Sequence, residues 1–400
     1  MSLNATPVAI RTHIGFFGLC NAGKSSLVNA ITGQEMAIVS QTRGTTTDPV
    51  SKTMELLPLG PVVIIDTPGL DDESALGEER VKRTRRVLAR CDIAILVHDA
   101  TTAFTQAEKE LVSLFEQRAL PYLVVQNKKD LVQAPHPFLS HTVWASATTG
   151  EGIQELKEAI GHLCGSGEAD KPLVRNLLHA GQTAVLVTPI DSSAPKGRMI
   201  LPQQQVIRDV LEAGCSCVVV VEDQLHRALG NLREKPAMVV TDSQAFERVA
   251  NDTPLDIPLT SFSILMARYK GFLRQAVEGV VALERLQDGD TVLISEGCTH
   301  HRQCMDIGTV KIPRWLFQHT GRQLHIETSS GNGFPEDLSR YKVIIHCGGC
   351  MLNAKEVQYR MRMAQAEGVP MTNYGVAIAQ MKGILKRSLA LFPDIAKLVD

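Results

Sequence analysis

A glycine-containing stretch near the start of the chain is the strongest constraint on its fold. The apolar run HIGFF (13–17) is typical of a buried parallel strand, and GLCNAGKSS (18–26) follows it directly. This stretch fits the pattern G-x-x-x-x-G-K-S, in which backbone N–H groups curl around phosphate oxygens. The residues after it are expected to form a helix, so that the phosphate would lie on a helix N-terminus. A strand, a phosphate-binding loop and a helix in this order predict a P-loop domain.

The pattern of this loop also assigns individual roles. Lys24 is expected to reach the β- and γ-phosphates of a nucleotide, and the hydroxyl of Ser25 is expected to bind Mg²⁺. The other nucleotide-binding residues predicted in the loop are Gly18, Asn21, Ala22, Gly23 and Ser26.

A second motif is expected to contact magnesium and the γ-phosphate. The stretch VVIIDTPG (62–69) is an apolar strand that ends in Asp66, whose carboxylate can hold Mg²⁺ through a water molecule. The N–H of Gly69 can reach a γ-phosphate, so Lys24, Asp66 and Gly69 are all predicted to be catalytic. Leu70 follows, at the position where Ras-like proteins carry a glutamine that orients the attacking water. We therefore expect slow intrinsic hydrolysis.

Two later loops indicate which base is bound. The stretch YLVVQNKKD (122–130) ends in N-K-x-D, and its Asp130 can accept hydrogen bonds from guanine N1–H and the exocyclic amine. Adenine does not offer that pair of donors, so the pattern favours GTP over ATP. The stretch ASATTGEGI (145–153) supplies backbone groups that can meet the guanine O6. The bracing and O6-binding residues predicted in these loops are Asn127, Lys128, Ser146 and Ala147.

Length and composition exclude several classes of protein. A chain of 400 residues with 44% hydrophobic residues can form two or three domains with ordinary cores. The net charge of −2 argues against a nucleic-acid partner bound through bulk charge. No apolar stretch approaches the ~20 residues that span a bilayer, and the N-terminus lacks the apolar segment of a signal peptide. Nine cysteines without that signal predict a cytoplasmic protein rather than a disulfide framework, and no membrane association is expected.

The middle of the chain predicts an α/β unit without visible chemistry. Residues 164–173 are polar and contain glycine, which predicts a linker. Beyond it, strands such as TAVLVTPI (183–190) alternate with helices, as expected of a small open sheet. Cys215 and Cys217 lie in an apolar strand and are expected to belong to the core. The stretch TSFSILMARYKGF (260–272) is interpreted as a connection to the last third of the chain.

Cysteines follow two predicted strands in that last third. The strand DTVLIS (290–295) is followed by EGCTHHRQC, which contains Cys298, and the strand YKVII is followed by HCGGC. In open parallel sheets, ligands collect outside the carboxyl ends of the strands. Cys298, Cys347 and Cys350 are therefore expected to meet around one ion or cluster.

Three interpretations of these thiols stay open when only the residues are considered. A 4Fe–4S cluster would take three cysteines and one replaceable ligand, for which His300, His346, Cys304 or an exogenous group are candidates. A closed Cys₃His site would suit structural zinc. The C-x-x-C pair alone would suit a redox dithiol. The two glycines inside HCGGC let backbone N–H groups approach cluster sulfides, which favours the iron–sulfur interpretation.

The P-loop and the residues after it (21–50) resemble the translation-factor-related GTPases, in particular the Era-like group and the tRNA-modification GTPase MnmE. The switch I pattern of that group is matched by Gly44, Thr45, Thr46 and Asp48. The resemblance implies that Thr46 is a catalytic residue and binds Mg²⁺ together with Ser25.

The same resemblance implies activation by potassium. Asn21 fills the P-loop position that marks potassium activation in this group, and the other positions around the ion are matched by Ser40, Thr42 and Thr45. The potassium ion would lie where other GTPases place an arginine finger, and it would neutralise charge developing between the β- and γ-phosphates.

The pattern of the whole chain is more specific. C-x-H, the 45 residues 301–345 and then H-C-x-x-C follow an MnmE-like GTPase. Together with EGCTHH, DIGTVKIP and HCGGC, this pattern resembles the FeFe-hydrogenase maturation GTPases of the HydF family over essentially the full chain. The resemblance implies an α/β protein of three domains. These are a P-loop GTPase domain (1–165), an open parallel-sheet dimerisation domain (174–262) and an open parallel-sheet domain (266–400) that binds a 4Fe–4S cluster.

In this family the cluster is held by three cysteines, which implies Cys298, Cys347 and Cys350 here, with His300 or His346 as candidates for the fourth ligand. The cofactors implied are GTP, Mg²⁺, K⁺ and the 4Fe–4S cluster, with a diiron subcluster precursor carried transiently. A homodimer would act as scaffold and carrier of the diiron subcluster. The radical-SAM maturases HydE and HydG help to build that subcluster, which is delivered to the FeFe-hydrogenase apo-enzyme. The alternative is a tRNA-modification or ribosome-assembly GTPase with structural zinc, although the chain has no evident RNA-binding tail.

Overall fold

The computed structural model describes residues 8–33, 50–56, 60–67, 77–132, 141–164, 171–190, 199–297, 306–331 and 333–399. The chain divides into two units, Met1–Asp170 and Lys171–Asp400, and each is described by itself. Within the described ranges, no helix has the length and apolar character needed to cross a membrane.

The N-terminal unit is built on a six-stranded sheet with the order β2-β3-β1-β4-β5-β6. Its strands are β1 (Thr12–Phe17), β2 (Val50–Leu56), β3 (Gly60–Asp66), β4 (Ile93–Asp99), β5 (Tyr122–Asn127) and β6 (Thr142–Trp144). Its helices are α1 (Lys24–Thr32), α2 (Gly77–Arg90), α3 (Gln106–Gln117) and α4 (Ile153–Cys164). All neighbours pair in parallel except β2, which runs antiparallel to β3.

Both faces of this sheet are covered, which explains why its central strands are apolar throughout. Along β4, Ile95 and Val97 face the core shared with α1 and α4, whereas Ala94 and Leu96 face the core shared with α2 and α3. Alternate side chains of a strand point to opposite faces, so a strand between two helical layers needs apolar residues at every position.

The C-terminal unit contains two parallel four-stranded sheets, with the orders β10-β9-β7-β8 and β12-β11-β13-β14. The first sheet comprises β7 (Thr183–Val187), β8 (Ser216–Val220), β9 (Met238–Thr241) and β10 (Leu259–Ser261). The second comprises β11 (Thr291–Glu296), β12 (His325–Ser330), β13 (Val343–His346) and β14 (Met371–Asn373).

Ten α-helices accompany these sheets in the described part of the unit. They are α5 (Leu201–Glu212), α6 (Leu225–Asn231), α7 (Phe246–Asp252), α8 (Phe262–Tyr269), α9 (Leu273–Val280), α10 (Ile312–Thr320), α11 (Ala354–Ala366), α12 (Tyr374–Met381), α13 (Leu385–Ser388) and α14 (Pro393–Ala396). The predicted α/β class, with a P-loop domain and parallel sheets, is confirmed.

One hydrophobic core joins the two sheets of this unit. It contains Val185 and Val239 from the first sheet and Ile294 and Ile345 from the second. The stretch 260–272, interpreted above as a connection, forms the end of β10 and all of α8. Its apolar residues Ile264, Leu265, Met266 and Ala267 are buried in this core. The domain limits 174–262 and 266–400 stay a prediction.

Close packing of α9 against β14 yields a stability prediction. A Cβ added at Gly279 of α9 would lie 2.3 Å from the carbonyl oxygen of Met371, whereas one added at Gly230 of α6 would meet nothing within 4 Å. We expect Gly279→Ala to lower the free energy of unfolding by about 1–3 kcal/mol, because backbone must move. The matched Gly230→Ala should be neutral or stabilising by up to ~1 kcal/mol, since alanine favours helix.

Urea unfolding measures both changes in a shared Trp144→Phe background, where Trp315 is the remaining tryptophan and reports on the C-terminal unit. Equal transition midpoints for the two alanine variants would contradict the packing described for α9.

Candidate functional sites

The P-loop occupies residues 18–23, between β1 and α1, and has an unusual backbone. Gly18, Asn21 and Gly23 have positive φ angles of 148°, 60° and 86°. A side chain at Gly18 would collide with the chain at β4, since an added Cβ would lie 2.2 Å from the carbonyl oxygen of Val97. Glycine is therefore required where β1 turns into the loop.

Lys24 closes the loop from within. Its side chain is buried, and Nζ donates hydrogen bonds to the carbonyl oxygens of Gly18 at 3.1 Å and Leu19 at 2.7 Å. The ammonium thus lies across the cradle formed by residues 18–23, at the N-terminus of α1. This is the position that the P-loop pattern assigns to the phosphate-binding lysine.

Ser25 and Asp66 lie together at the predicted magnesium site. The hydroxyl of Ser25 donates to Asp66 Oδ2 at 2.7 Å. Burial raises the pKa of Asp66, against the opposing effects of the Ser25 hydrogen bond and the Lys24 charge. The other oxygen, Oδ1, is buried and has no hydrogen-bond partner among the described residues. A hydroxyl beside a carboxylate with one unsatisfied oxygen fits Mg²⁺, which prefers oxygen ligands.

Asn127 joins the P-loop to the loop that follows β6. Its side-chain amide donates to the carbonyl oxygen of Ala22 at 2.9 Å and accepts from the N–H of Ala147 at 3.1 Å. The bracing role predicted for Asn127 therefore has a geometric basis. Lys128 has a positive φ of 64° and donates from its side chain to Asp99 at the end of β4.

The residues predicted to contact guanine lie in the loops that Asn127 connects or adjoins. Asp130 is exposed in the turn after β5, while Ser146 is buried in the turn after β6. The N–H of Ser146 donates to the carbonyl oxygen of Glu151 at 2.8 Å. The N–H groups of both Ser146 and Ala147 thus have acceptors within the protein.

Several predicted site residues lie outside the described part of the chain. They are Ser40, Thr42, Gly44, Thr45, Thr46, Asp48, Gly69, Cys298, His300 and Cys304. The roles given to them in switch I, in the γ-phosphate contact, in potassium binding and in cluster binding stay predictions.

The described cysteines of the predicted cluster site follow β13. In the sheet, Ser295 of β11 pairs with His346 of β13, so both strands end at the same level. The N–H of Cys347 donates to the carbonyl oxygen of Ser295 at 2.8 Å. The N–H of Gly297 in turn donates to Cys347 Sγ at 3.0 Å. The residue that precedes Cys298 in sequence therefore touches the sulfur of Cys347.

The thiols of Cys347 and Cys350 are half-buried, and the loss of hydration disfavours their charged forms. Burial raises the pKa of Cys347 to about 11, although N–H groups of Gly297 and Gly349 oppose it. Burial also raises the pKa of Cys350, against the opposing charge of Lys270. Reactive dithiols have lowered pKa values, so the pKa values of Cys347 and Cys350 depart in the opposite direction. A metal that displaces their protons does fit them, because metal binding is coupled to deprotonation of thiols.

His346 is buried, and both nitrogens of its ring are hydrogen-bonded. Its Nε2 lies 3.1 Å from Nη1 of Arg360, and its Nδ1 lies 2.7 Å from the carbonyl oxygen of Cys347. A guanidinium can only donate, so Nε2 accepts and the proton on Nδ1 is donated to the carbonyl. Burial, reinforced by the Arg360 charge, lowers the pKa of His346 to about 3, so the imidazole is neutral. Coordination by His346 would require one of these bonds to break.

Arg360 was not apparent from the sequence as a site residue, and it is fully buried. It donates to Glu356 Oε1 at 3.0 Å and to the carbonyl oxygen of Gly331 at 2.7 Å, and its guanidinium lies over the ring of Phe334. Three partners besides His346 therefore fix the guanidinium. From the sequence, an arginine on a predicted helix that contacts a buried histidine cannot be distinguished from an arginine exposed to solvent.

Lys270 is the second residue that sequence reasoning missed. It follows α8, is 3% exposed, and its Nζ donates to the carbonyl oxygens of Gly349 and of Leu352, the latter at 2.8 Å. Burial lowers the pKa of Lys270 to about 8, against the opposing charges of Cys350 and Cys347. No local pattern connects it to HCGGC, whose Gly349 lies 79 residues further along the chain.

Two of the three predicted cysteine ligands, Cys347 and Cys350, belong to the described residues, and their surroundings fit a metal–thiolate group. No group of three or more His, Cys, Asp or Glu side chains with metal-binding geometry occurs within the described ranges, which exclude Cys298 and His300. Two thiols, with backbone N–H groups donating to one of the sulfurs, match the chemistry of a thiolate-bound iron–sulfur centre.

The position of Asn127 predicts its effect on nucleotide binding. Asn127→Ala removes both hydrogen bonds between the P-loop and the Ala147 loop and leaves a buried carbonyl and N–H unpaired. We expect GDP and GTP affinity to fall by roughly 5- to 150-fold, equivalent to about 1–3 kcal/mol. Titration with a fluorescent GDP analogue measures the loss. Gln154→Ala on the exposed face of α4 is the matched control, and equal affinities in both variants would contradict the role of Asn127.

Comparison with known proteins gives three family-model matches. The model of the hydrogen maturase F dimerization domain matches residues 173–271, and that of the hydrogen maturase F tetramerization domain matches residues 274–391. The model of the 50S ribosome-binding GTPase matches residues 13–128.

Curated relatives resemble the GTPase part of the chain. GTPase Der of Kosmotoga olearia is 34% identical over 166 residues, which is 37% of this chain and 37% of that protein. The tRNA modification GTPase MnmE of Dichelobacter nodosus is 38% identical over 165 residues, which is 40% of this chain and 36% of that protein. The chain thus spans little more than a third of the length of these relatives.

Solved structures with matches include Aquifex aeolicus Era, with 21% identity, a TM-score of 0.35, and coverage of 52% of this chain and 93% of that one. The G domain of the T. maritima FeoB iron transporter matches with 26% identity, a TM-score of 0.29, and coverage of 38% and 98%.

The motif resemblance described above is confirmed by the two hydrogen maturase F models, which adjoin one another and cover most of the C-terminal unit. A GTPase model precedes them, in the order expected from the sequence. On these matches, the chain belongs to the hydrogen maturase F family.

Proposed function

We propose that this protein is a GTP-hydrolysing iron–sulfur scaffold and carrier that matures FeFe-hydrogenase by assembling and delivering the diiron subcluster. The observation that carries the proposal is the hydrogen bond from Gly297, the neighbour of Cys298, to the sulfur of Cys347. It brings the exits of β11 and β13 together in a chain that matches hydrogen maturase F models. Cys298, Cys347 and Cys350 would then hold one 4Fe–4S cluster.

His300 and His346 remain the proposed candidates for the fourth ligand. The two hydrogen bonds of His346 support His300 as the better candidate, because His346 would have to leave Arg360 or the Cys347 carbonyl. When bound, the cluster would supply an iron position at which the diiron cargo, or a precursor of it, attaches. The residues of this chain would hold the sulfurs in place and exclude water.

We also propose that the nucleotide site hydrolyses GTP with slow intrinsic turnover. Lys24 holds the P-loop closed and would contact the β- and γ-phosphates, while Ser25 and Asp66 would hold Mg²⁺ together with Thr46. Gly69 would bind the γ-phosphate, and Asp130 would select guanine. The proposed potassium ligands are Asn21, Ser40, Thr42 and Thr45.

The proposed partners follow from the family. The hydrogen maturase F dimerization and tetramerization models support an oligomer, and we propose a homodimer as its basic form. The FeFe-hydrogenase apo-enzyme would receive the diiron subcluster, and HydE and HydG would supply it, in the cytoplasm. The proposed domains are 1–165, 174–262 and 266–400.

Anaerobic reconstitution with iron and sulfide tests the scaffold. Wild-type protein should take up four iron and four sulfide ions per chain and show the visible charge-transfer absorption of a 4Fe–4S cluster. Cys298→Ala, Cys347→Ala and Cys350→Ala should each lose most of this absorption, since each removes one ligand. Cys217→Ala, a half-buried thiol on β8 of the same unit, is the control and should keep it.

A colourless protein that binds one zinc ion tightly would contradict the proposal. It would support the alternative, a tRNA-modification or ribosome-assembly GTPase with structural zinc. Retention of the full cluster in all three ligand variants would contradict the assignment of the ligands.

Exchange of the monovalent cation tests the potassium site. Replacing K⁺ by Na⁺ should slow GTP hydrolysis on the order of tenfold or more, because a positive charge close to the β–γ bridge would be lost. Asn21→Gly should remove this dependence, since glycine tolerates the φ of 60° and lacks the amide ligand. Phosphate release at saturating GTP measures both rates. Equal wild-type rates in K⁺ and Na⁺ would contradict the role given to Asn21.

A further inference from the structure

A buried lysine ties the thiol loop to the rest of the C-terminal unit. Lys270 lies in the turn between α8 and α9, and its ammonium donates to the carbonyl oxygens of Gly349 and Leu352. These two carbonyls stand on either side of Cys350 in the sequence. The ammonium thus bridges the turn that carries this thiol.

The backbone of the same lysine is also held. The side chain of Gln358, on α11, donates to the carbonyl oxygen of Lys270 at 2.7 Å. Helix α11 begins directly after the thiol loop, with Asn353 as its N-cap. Three hydrogen bonds therefore connect the α8–α9 turn to residues 349–358. The position of Cys350 thus depends on a segment that belongs to neither β11 nor β13.

Among the residues that the structure describes, no carboxylate pairs with the ammonium of Lys270. None of the salt bridges in the described ranges involves Lys270, whereas the equally buried Arg360 pairs with Glu356. Burying an ammonium that is bound only to neutral carbonyls costs free energy, because the charge has lost its hydration without gaining a counter-ion. The groups that would act on it with a negative charge are Cys350 and Cys347, once they are thiolates.

A buried carboxylate, Glu296, acts on the other thiol of the pair. Glu296 at the end of β11 is buried and accepts a hydrogen bond from the hydroxyl of Tyr374 at 3.4 Å. Its charge acts on Cys347, whereas the charge of Lys270 favours the thiolate of Cys350. Lys270 therefore lacks a negative partner in the metal-free protein. A thiolate-bound centre with a net negative charge would provide that partner.

We propose that Lys270 is a positioning residue that clamps the thiol loop and supplies the countercharge of the thiolate-bound cluster. This inference rests on the proposed function, because the cluster is the anion concerned. A positive charge fixed near a cluster stabilises its reduced, more negative form and so raises its reduction potential. Lys270 should accordingly influence both the retention and the potential of the cluster.

Two substitutions separate the charge from the contacts. Lys270→Met keeps the length of the side chain, removes its charge and leaves both carbonyl oxygens without their donor. Lys270→Arg keeps the charge. Lys382→Met is the matched control, because Lys382 lies in the same unit and pairs with Glu247 over the ring of Trp315.

Full-length proteins reconstituted with ferrous iron and sulfide are compared by spectroelectrochemical titration and by the rate of cluster loss to a chelator. Lys270→Met should shift the midpoint potential to a more negative value and lose the cluster several-fold faster than wild type. Lys270→Arg should keep most of the wild-type potential, and Lys382→Met should match wild type in both measurements. A wild-type potential in Lys270→Met would overturn the countercharge role, since a merely structural role would not move the potential.

A second measurement needs no metal. Hydrogen–deuterium exchange of the backbone N–H groups of residues 349–358 in metal-free full-length protein, followed by peptide mass spectrometry, should be several-fold faster in Lys270→Met than in wild type or Lys382→Met. Equal rates would overturn the clamp. If wild-type protein takes up no iron and sulfide, the proposed function fails, and the exchange rates still decide whether Lys270 holds the loop.

Discussion

Parallel pairing of β11 with β13 is the constraint on which the thiol site depends. The register places Ser295 opposite His346, so both strands end at the same edge of the sheet. The N–H of Gly297 can then reach the sulfur of Cys347, although 50 positions separate them. Antiparallel pairing would send the two exits to opposite edges. The cysteines could not then meet, whatever their spacing in the sequence.

The nucleotide site uses the same principle in a different unit. β1, β3 and β5 are parallel to one another within their sheet, and they end in the P-loop, in Asp66 and in Asn127 respectively. The backbone of the P-loop curls around a phosphate position, and Asn127 fastens that loop to the next one. In both units, strand ends supply backbone N–H groups, and a lysine bonded to loop carbonyls closes the loop. Lys24 does so from the adjoining helix, and Lys270 from the turn after α8, which is distant in sequence.

Much of the fold was predictable because its signals are local. Strands buried on both faces are apolar throughout, as in β4, and the P-loop pattern needs a strand before it and a helix after it. Helix α8 was missed for a physical reason. Four consecutive residues, Ile264 to Ala267, are buried, so the helix has no polar face. Its sequence therefore lacks the 3.6-residue alternation of apolar and polar residues that would have indicated a helix. Without that helix, the stretch before Lys270 reads as a connection.

The sequence by itself determined the phosphate loop, the expected preference for guanine and which cysteines follow strands, because each depends on residue types within a short span. Tertiary structure alone decided that Arg360 occupies one nitrogen of His346 and that Lys270 spans the turn of Cys350. Those contacts are made by α11 and by the turn after α8. A pairing set by packed helices leaves no spacing in the sequence from which it could be inferred.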